Sequence, residues 1–290
     1  MITIKNEFLT VQINPQGATL QSVFGNQTGI EYLWQGDRAY WGGRAPNLFP
    51  FVGRLFESRY TYEGQSYPMK IHGFYGKMQT EPQQSAADRC AFYLKDTPET
   101  YEIYPFHFES WMEYALEGAC LKITFRVKNN GEKTMYCGLG GHPGINIPME
   151  EGLAFEDYDL VFRNADNARV VNFSQGVLTV SESPYPLVDG CKLPLRHGLF
   201  HHDAVVLTNL DRQVTIKSSK GSHGVTIAYP EMPYVGFWHK PNCDAPYVCV
   251  EPWSVLPGRE GVVEDLPTMP GMTAVEPGET WVNPWSIAVF

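Results

Sequence analysis

The sequence is poor in charge blocks, in helical periodicity and in paired cysteines, and each shortage removes a class of protein. The cysteines Cys90, Cys120, Cys137, Cys191, Cys243 and Cys249 are scattered and form no Cys-x-x-Cys pair. The opening Met1-Ile2-Thr3-Ile4-Lys5 runs directly into alternating residues, without the pattern of a signal peptide. The cysteines therefore read as reduced thiols rather than disulfides or zinc ligands, and the expected location is cytoplasmic. No apolar run approaches the ~20 residues of a membrane-spanning helix. The formal net charge is -10, which argues against nucleic acid and anionic membranes as partners. No glycine-rich phosphate loop opens a helix. No cofactor and no metal site is read. No linker or internal repeat divides the 290 residues, so the expectation is one domain, residues 1–290.

What the chain has in abundance is alternation of period two, punctuated by Gly, Pro and Asn. Leu9, Val11 and Ile13 alternate with polar neighbours, Asn14-Pro15-Gln16-Gly17 turns the chain, and Ala18 to Phe24 alternates again. This is a hairpin signature. The same reading gives hairpins at Tyr60–Tyr67, at Phe108–Lys128, and at Val205–Lys217 around Asp211-Arg212, with a closing strand from Thr280 to Phe290. One short helix is expected after Asp96-Thr97-Pro98-Glu99, where an N-cap, a proline and a first-turn acid coincide. Many short strands with few helices imply an all-β sandwich or barrel.

Four stretches carry chemistry. Tyr247-Val248-Cys249-Val250-Glu251-Pro252-Trp253 reads as a strand with Tyr247, Cys249 and Glu251 on one face. Pro252 has no N–H, so pairing is expected to stop there. Glu251 is either an exposed acid ending an edge strand or a base facing a ligand. In Gly138-Leu139-Gly140-Gly141-His142-Pro143-Gly144, the glycines mark a close backbone approach, often to a ligand, or a simple bend carrying His142 as a passenger. Arg54 ends the apolar run Asn47–Gly53, and His72 stands in Ile71-His72-Gly73-Phe74. Taken singly, Arg54 reads as a surface charge and His72 as a core histidine.

Together, and in this order, these stretches resemble the aldose 1-epimerase, or galactose-mutarotase-like, family. The resemblance covers nearly the whole chain. It takes in Asn14–Leu20, the Phe-Pro-x-x-Gly-Arg run, His72-Gly73-Phe74 and Tyr104-Pro105-Phe106-His107-Phe108. It continues through Asn129-Asn130, His142-Pro143-Gly144, Trp238 to Trp253 and Pro277-Gly278-Glu279. It implies a large antiparallel β-sandwich with an open sugar cleft, Glu251 as general base and His142 as general acid. It also implies that His72 and Arg54 orient the sugar and that Asp203 accepts hydrogen bonds from its hydroxyls. Leu55-Phe56-Glu57 after Arg54 and Pro143-Gly144-Ile145 after His142 depart from the better-studied galactose mutarotases and resemble a shorter bacterial branch. Lys77 stands where relatives often carry an arginine. Trp238 and Trp253 flank the Glu251 strand and are candidate platforms for the C–H face of a sugar.

The chemistry implied is ring opening. A base takes the anomeric hydroxyl proton while an acid protonates the ring oxygen, and the ring recloses on the other face. Ordinary pKa values of about 4.3 for Glu and about 6.5 for His suit those roles near neutrality. Acid and base are expected on opposite sides of the sugar ring and on different strands. His201-His202-Asp203 is set aside as a metal site because neighbours on a strand point to opposite faces. The alternatives are a hexose-6-phosphate 1-epimerase, which needs clustered cations beyond Arg54, Arg59 and Lys77, a non-catalytic sugar-binding protein, and a structural sandwich.

Overall fold

The computed structural model describes the backbone of all 290 residues and the side chains of all but Gln84 and Ser85. Two antiparallel sheets dominate. The nine-stranded sheet runs in the order Lys192–Pro194, Tyr158–Val161, Gln213–Ser218, Gly224–Ala228, Thr280–Val289, Cys120–Asn129, Phe108–Glu117, Arg89–Lys95, Glu81–Ala86. The eight-stranded sheet runs Thr179–Pro184, Arg169–Phe173, Val205–Thr208, Tyr234–Trp238, Tyr247–Trp253, Gly140–Gly141, Asn47–Leu48, with Gly144–Asn146 also on Tyr247–Trp253. One sheet of three strands and two of two strands complete the set.

Alternation explains the layering. In Cys120–Asn129, Leu121, Ile123, Phe125 and Val127 are almost fully buried while Lys122 is exposed. Burial of such side chains is worth about 1.5–3 kcal/mol each, which fixes the register against a slip that would turn them to water. The inner faces of the two sheets meet: Phe162, just beyond Tyr158–Val161, lies 6.1 Å from Phe237 of the other sheet. The architecture is thus the expected all-β sandwich.

Local hairpins form where their turns predict. Leu9–Asn14 pairs Thr19–Gly25, Arg59–Tyr62 pairs Gln65–Pro68, and Phe108–Glu117 pairs Cys120–Asn129. The helix is Pro98–Ile103, with Thr97 as N-cap in a reciprocal box with Thr100. The hairpin expected across Asp211-Arg212 does not form. Val205–Thr208 pairs Arg169–Phe173 and Tyr234–Trp238 in one sheet, whereas Gln213–Ser218 pairs Tyr158–Val161 and Gly224–Ala228 in the other. Asp211-Arg212 is a crossing between layers. The last strand, Thr280–Val289, lies inside its sheet, bonded to Cys120–Asn129 on one side and Gly224–Ala228 on the other.

Candidate active site

Tyr247–Trp253 is neither an edge strand nor stopped by Pro252. It pairs with Tyr234–Trp238 through Trp253, every residue is buried, and Glu251 is 2% exposed. The reading of Glu251 as an exposed edge acid is therefore overturned. Pro252 acts on the other side of the strand. Val250 N–H donates to Pro143 O and Ser254 N–H to Leu139 O, at 3.1 and 2.9 Å. Pro252, between them, has no hydrogen to give. The facing backbone leaves the ladder between Gly141 and Gly144, and that excursion carries His142.

The glycines around His142 make room for tryptophans, not for a ligand. A Cβ at Gly140 would stand 2.8 Å from the Trp253 ring, at Gly141 2.6 Å from Trp285, and at Gly144 2.9 Å from Trp34. His142 is accordingly pinned: Trp41 stacks on it at 4.9 Å, with His72 and Trp238 edge-on at 5.5 and 5.7 Å. Its Nε2 lies 3.3 Å from Glu251 Oε1, and its Nδ1 is buried without a partner.

His72 is set by its own backbone. It sits at φ +64° beside Gly73 at φ +72°, where a Cβ would collide with Phe49 O at 2.1 Å. Gly53 N–H donates to His72 Nδ1 at 3.1 Å, so in the neutral ring Nε2 carries the hydrogen. Burial, reinforced by the Arg54 charge, pushes His72 down to about 4. His72 is therefore a neutral donor at pH 7.

These residues converge on a cleft of about 310 Å³ lined by Arg54, His72, His142, Asp203, Trp238, Glu251 and Trp253, together with Trp41, Ile71, Val177 and Pro257. Every site residue expected from the sequence is there. Asp203 hangs from a turn after the His197–Phe200 3-10 helix, at φ +93°. His201 and His202 are exposed on that turn, not on a strand as the sequence reading had it. Val177, at φ +58°, also reaches the cleft from left-handed backbone. Such backbone is uncommon for non-glycine residues and concentrates at functional sites. Lys77 is exposed and outside the lining, and Arg59 is held by Glu57 at 2.6 Å. Arg54 is exposed and is the one Lys or Arg among the described residues of the lining.

The sequence reading missed Trp41. Its signal was Gly43, where a Cβ would stand 2.4 Å from the Trp41 ring. It also missed the gathering of Cys249 with His142 and Glu251, whose ligand atoms all lie within 4.8 Å of one another.

Electrostatics reverse the ordinary protonation pattern. Burial, with His72 nearby, pushes His142 down to about 3. Burial pushes Glu251 well above the usual carboxylate range, opposed by the Trp253 indole N–H and reinforced by the Asp203 charge. Desolvation thus favours a proton on Glu251 over one on His142. Nor are the two groups set apart on opposite sides of a ring-sized gap, as the sequence reading had them: His142 Nε2 and Glu251 Oε1 are 3.3 Å apart.

Residues 1–287 match the family described as aldose 1-epimerase. Protein LacX of Lactococcus lactis subsp. lactis, in plasmid and chromosomal forms, is 34% identical over 301 aligned positions, covering 100% of this chain and 99% of the relative. A galactose mutarotase related enzyme from Lactobacillus acidophilus superposes with a TM-score of 0.94 at 32% identity, over 100% of this chain and 97% of that one. A galactose mutarotase-like protein from Lactobacillus casei gives 0.95 at 28% identity, over 100% of both. A whole-length family match and a relative of this identity and coverage agree with the sandwich, and the chain belongs to the aldose 1-epimerase family.

Proposed function

We propose that this protein is a mutarotase that interconverts the α and β anomers of a free aldose, with Glu251 and His142 each exchanging one proton with the sugar. The observation that supports this most is the buried His142–Glu251 contact of 3.3 Å at a cleft also lined by His72, Arg54 and Asp203. In the reactive form the proton has moved from Glu251 to His142, a charge-separated state that the entering sugar hydroxyls and Arg54 stabilise. Glu251 takes the anomeric O–H proton while His142 gives its proton to the ring oxygen. The C1–O5 bond breaks, C1–C2 rotates, and reclosure on the other face returns both protons. The balance is zero, and the roles reverse for the opposite direction. His72 Nε2–H donates to a sugar oxygen, and Trp238 and Trp41 offer ring surface to C–H groups.

A non-catalytic sugar binder would have no use for two titratable groups whose proton affinities are driven in opposite directions. A free sugar is preferred over a sugar phosphate because the cleft presents a single Lys or Arg among its described lining residues, whereas phosphate recognition draws on several charge-assisted donors. Anomer-resolved proton NMR on free hexoses, pentoses and hexose 6-phosphates tests the reading. Faster exchange of α and β signals is expected for a free sugar. Acceleration of none, or of phosphorylated sugars only, overturns it. Acid–base ring opening is complete without a metal, so EDTA should not slow the exchange.

A further inference from the structure

Cys249 is a buried thiol that the proposed reaction does not use. It follows the face of Glu251, two residues back on the same strand, and is 0% exposed beneath the wall made by Trp41 and Trp238. One ring nitrogen of His142, the Cys249 sulfur and one Glu251 oxygen lie within 4.8 Å of each other. We propose that these three side chains form a site for a thiophilic divalent cation of the zinc class, and that occupation of the site switches the cleft off.

The donor set chooses the metal. Imidazole nitrogen with thiolate sulfur suits Zn²⁺ and Co²⁺, while Mg²⁺ and Ca²⁺ take oxygen shells. Bonds of about 2.0–2.3 Å put neighbouring donors around a tetrahedral zinc roughly 3.2–3.8 Å apart. His142 and Glu251 already stand at 3.3 Å. Bringing the sulfur in asks for a shift of roughly an ångström, within the reach of a χ1 adjustment. Charge also balances, since one thiolate and one carboxylate offset a dication. Binding releases two protons to solvent, the one on the thiol and the one shared by the His142–Glu251 pair. Three protein ligands leave a fourth position, and the sugar cleft, on which His142 and Glu251 both open, is the entry path.

Metal and sugar therefore compete for the same two side chains, Glu251 and His142. The inhibition, though not the binding, rests on the acid–base reading above.

The probe is Co²⁺, because thiolate–cobalt ligation gives a near-ultraviolet charge-transfer band independent of activity. The full-length protein should bind one Co²⁺ with that band. Zn²⁺ and saturating sugar should each abolish it, and Mg²⁺ should not. Zn²⁺ should inhibit anomer exchange competitively with sugar, reversibly by EDTA. Cys249→Ala should retain exchange, lose the band and raise the half-inhibiting Zn²⁺ concentration at least tenfold, while Cys243→Ala keeps the band. A parent without the band, or a band unaffected by Cys249→Ala, overturns the site. Should Cys249→Ala fail to fold, Cys249→Ser takes its place, and a band of parental intensity in that variant overturns the site equally. A sugar-insensitive protein that still shows the band, lost in Cys249→Ala, upholds the cation site and sinks the mutarotase reading instead.

Discussion

At the scale of residues, the site rests on two groups that burial moves past each other. Glu251→Gln and His142→Asn should each lower turnover by about 10²–10⁴-fold, the usual contribution of a general acid or base, while the KM for sugar changes much less. Steady-state polarimetry on the folded variants checks this, and near-parental turnover in Glu251→Gln would remove Glu251 from the reaction. The pH profile should also extend further into acid than ordinary Glu and His values imply. Activity is lost on the acid side only when a second proton is forced onto the buried pair, well below the usual histidine range. On the alkaline side it is lost only above the usual carboxylate range. Both limits belong to the pair. The identities of His142, Glu251, His72 and Arg54 were legible because each stands in a short run whose order along the chain is distinctive. Their protonation was not, because it depends on burial and on neighbours brought by the fold, His72 beside His142 and Asp203 beside Glu251. Trp41 went unread for the same reason, since only the fold stacks it on His142.

At the scale of elements, the informative feature is the interruption opposite Pro252. One missing N–H leaves the stretch between Gly141 and Gly144 off this strand, and Trp253, Trp285 and Trp34, packed against Gly140, Gly141 and Gly144, decide where the freed backbone goes. Gly141→Ala places a methyl 2.6 Å from the Trp285 ring. Overpacking of this kind should cost about 1–3 kcal/mol in urea unfolding. It should also lower turnover, because His142 is the next residue. A variant with parental stability and parental activity would show that the glycine is not needed for close packing. Hairpins were legible wherever the turn alone decided the partner, as at Asn14–Gly17 and Glu63-Gly64. At Asp211-Arg212 the same turn-like residues join strands of different sheets. There the choice lies in pairing with Arg169–Phe173 and Gly224–Ala228, which the local pattern does not record.

At the scale of the molecule, the cleft is a stability cost as well as a function. Burial favours the protonated form of Glu251, so its contribution is fully present below the ordinary carboxylate pKa and is lost as pH rises toward its elevated folded value. His72 and His142 act oppositely. Their contribution is present above about 6.5 and is lost as pH falls toward about 4 and about 3. Glu251→Gln removes the first term. The variant should therefore gain on the parent by up to about 1.4 kcal/mol per pH unit above the ordinary carboxylate value. Chemical denaturation at several pH values measures it, and a difference independent of pH would contradict the burial-driven shift. The chain's order of synthesis carries a further consequence. Strands from residues 81–129 form one half of the nine-stranded sheet and strands from residues 158–228 the other, and only Thr280–Val289 joins them. A nascent chain emerging from the ribosome thus holds two unmated half-sheets, each with an open interior edge, until Thr280–Val289 has been made. Those edges are templates for pairing between neighbouring chains, so the interval before the final strand docks is when this protein is most exposed to aggregation, and when a chaperone would matter most.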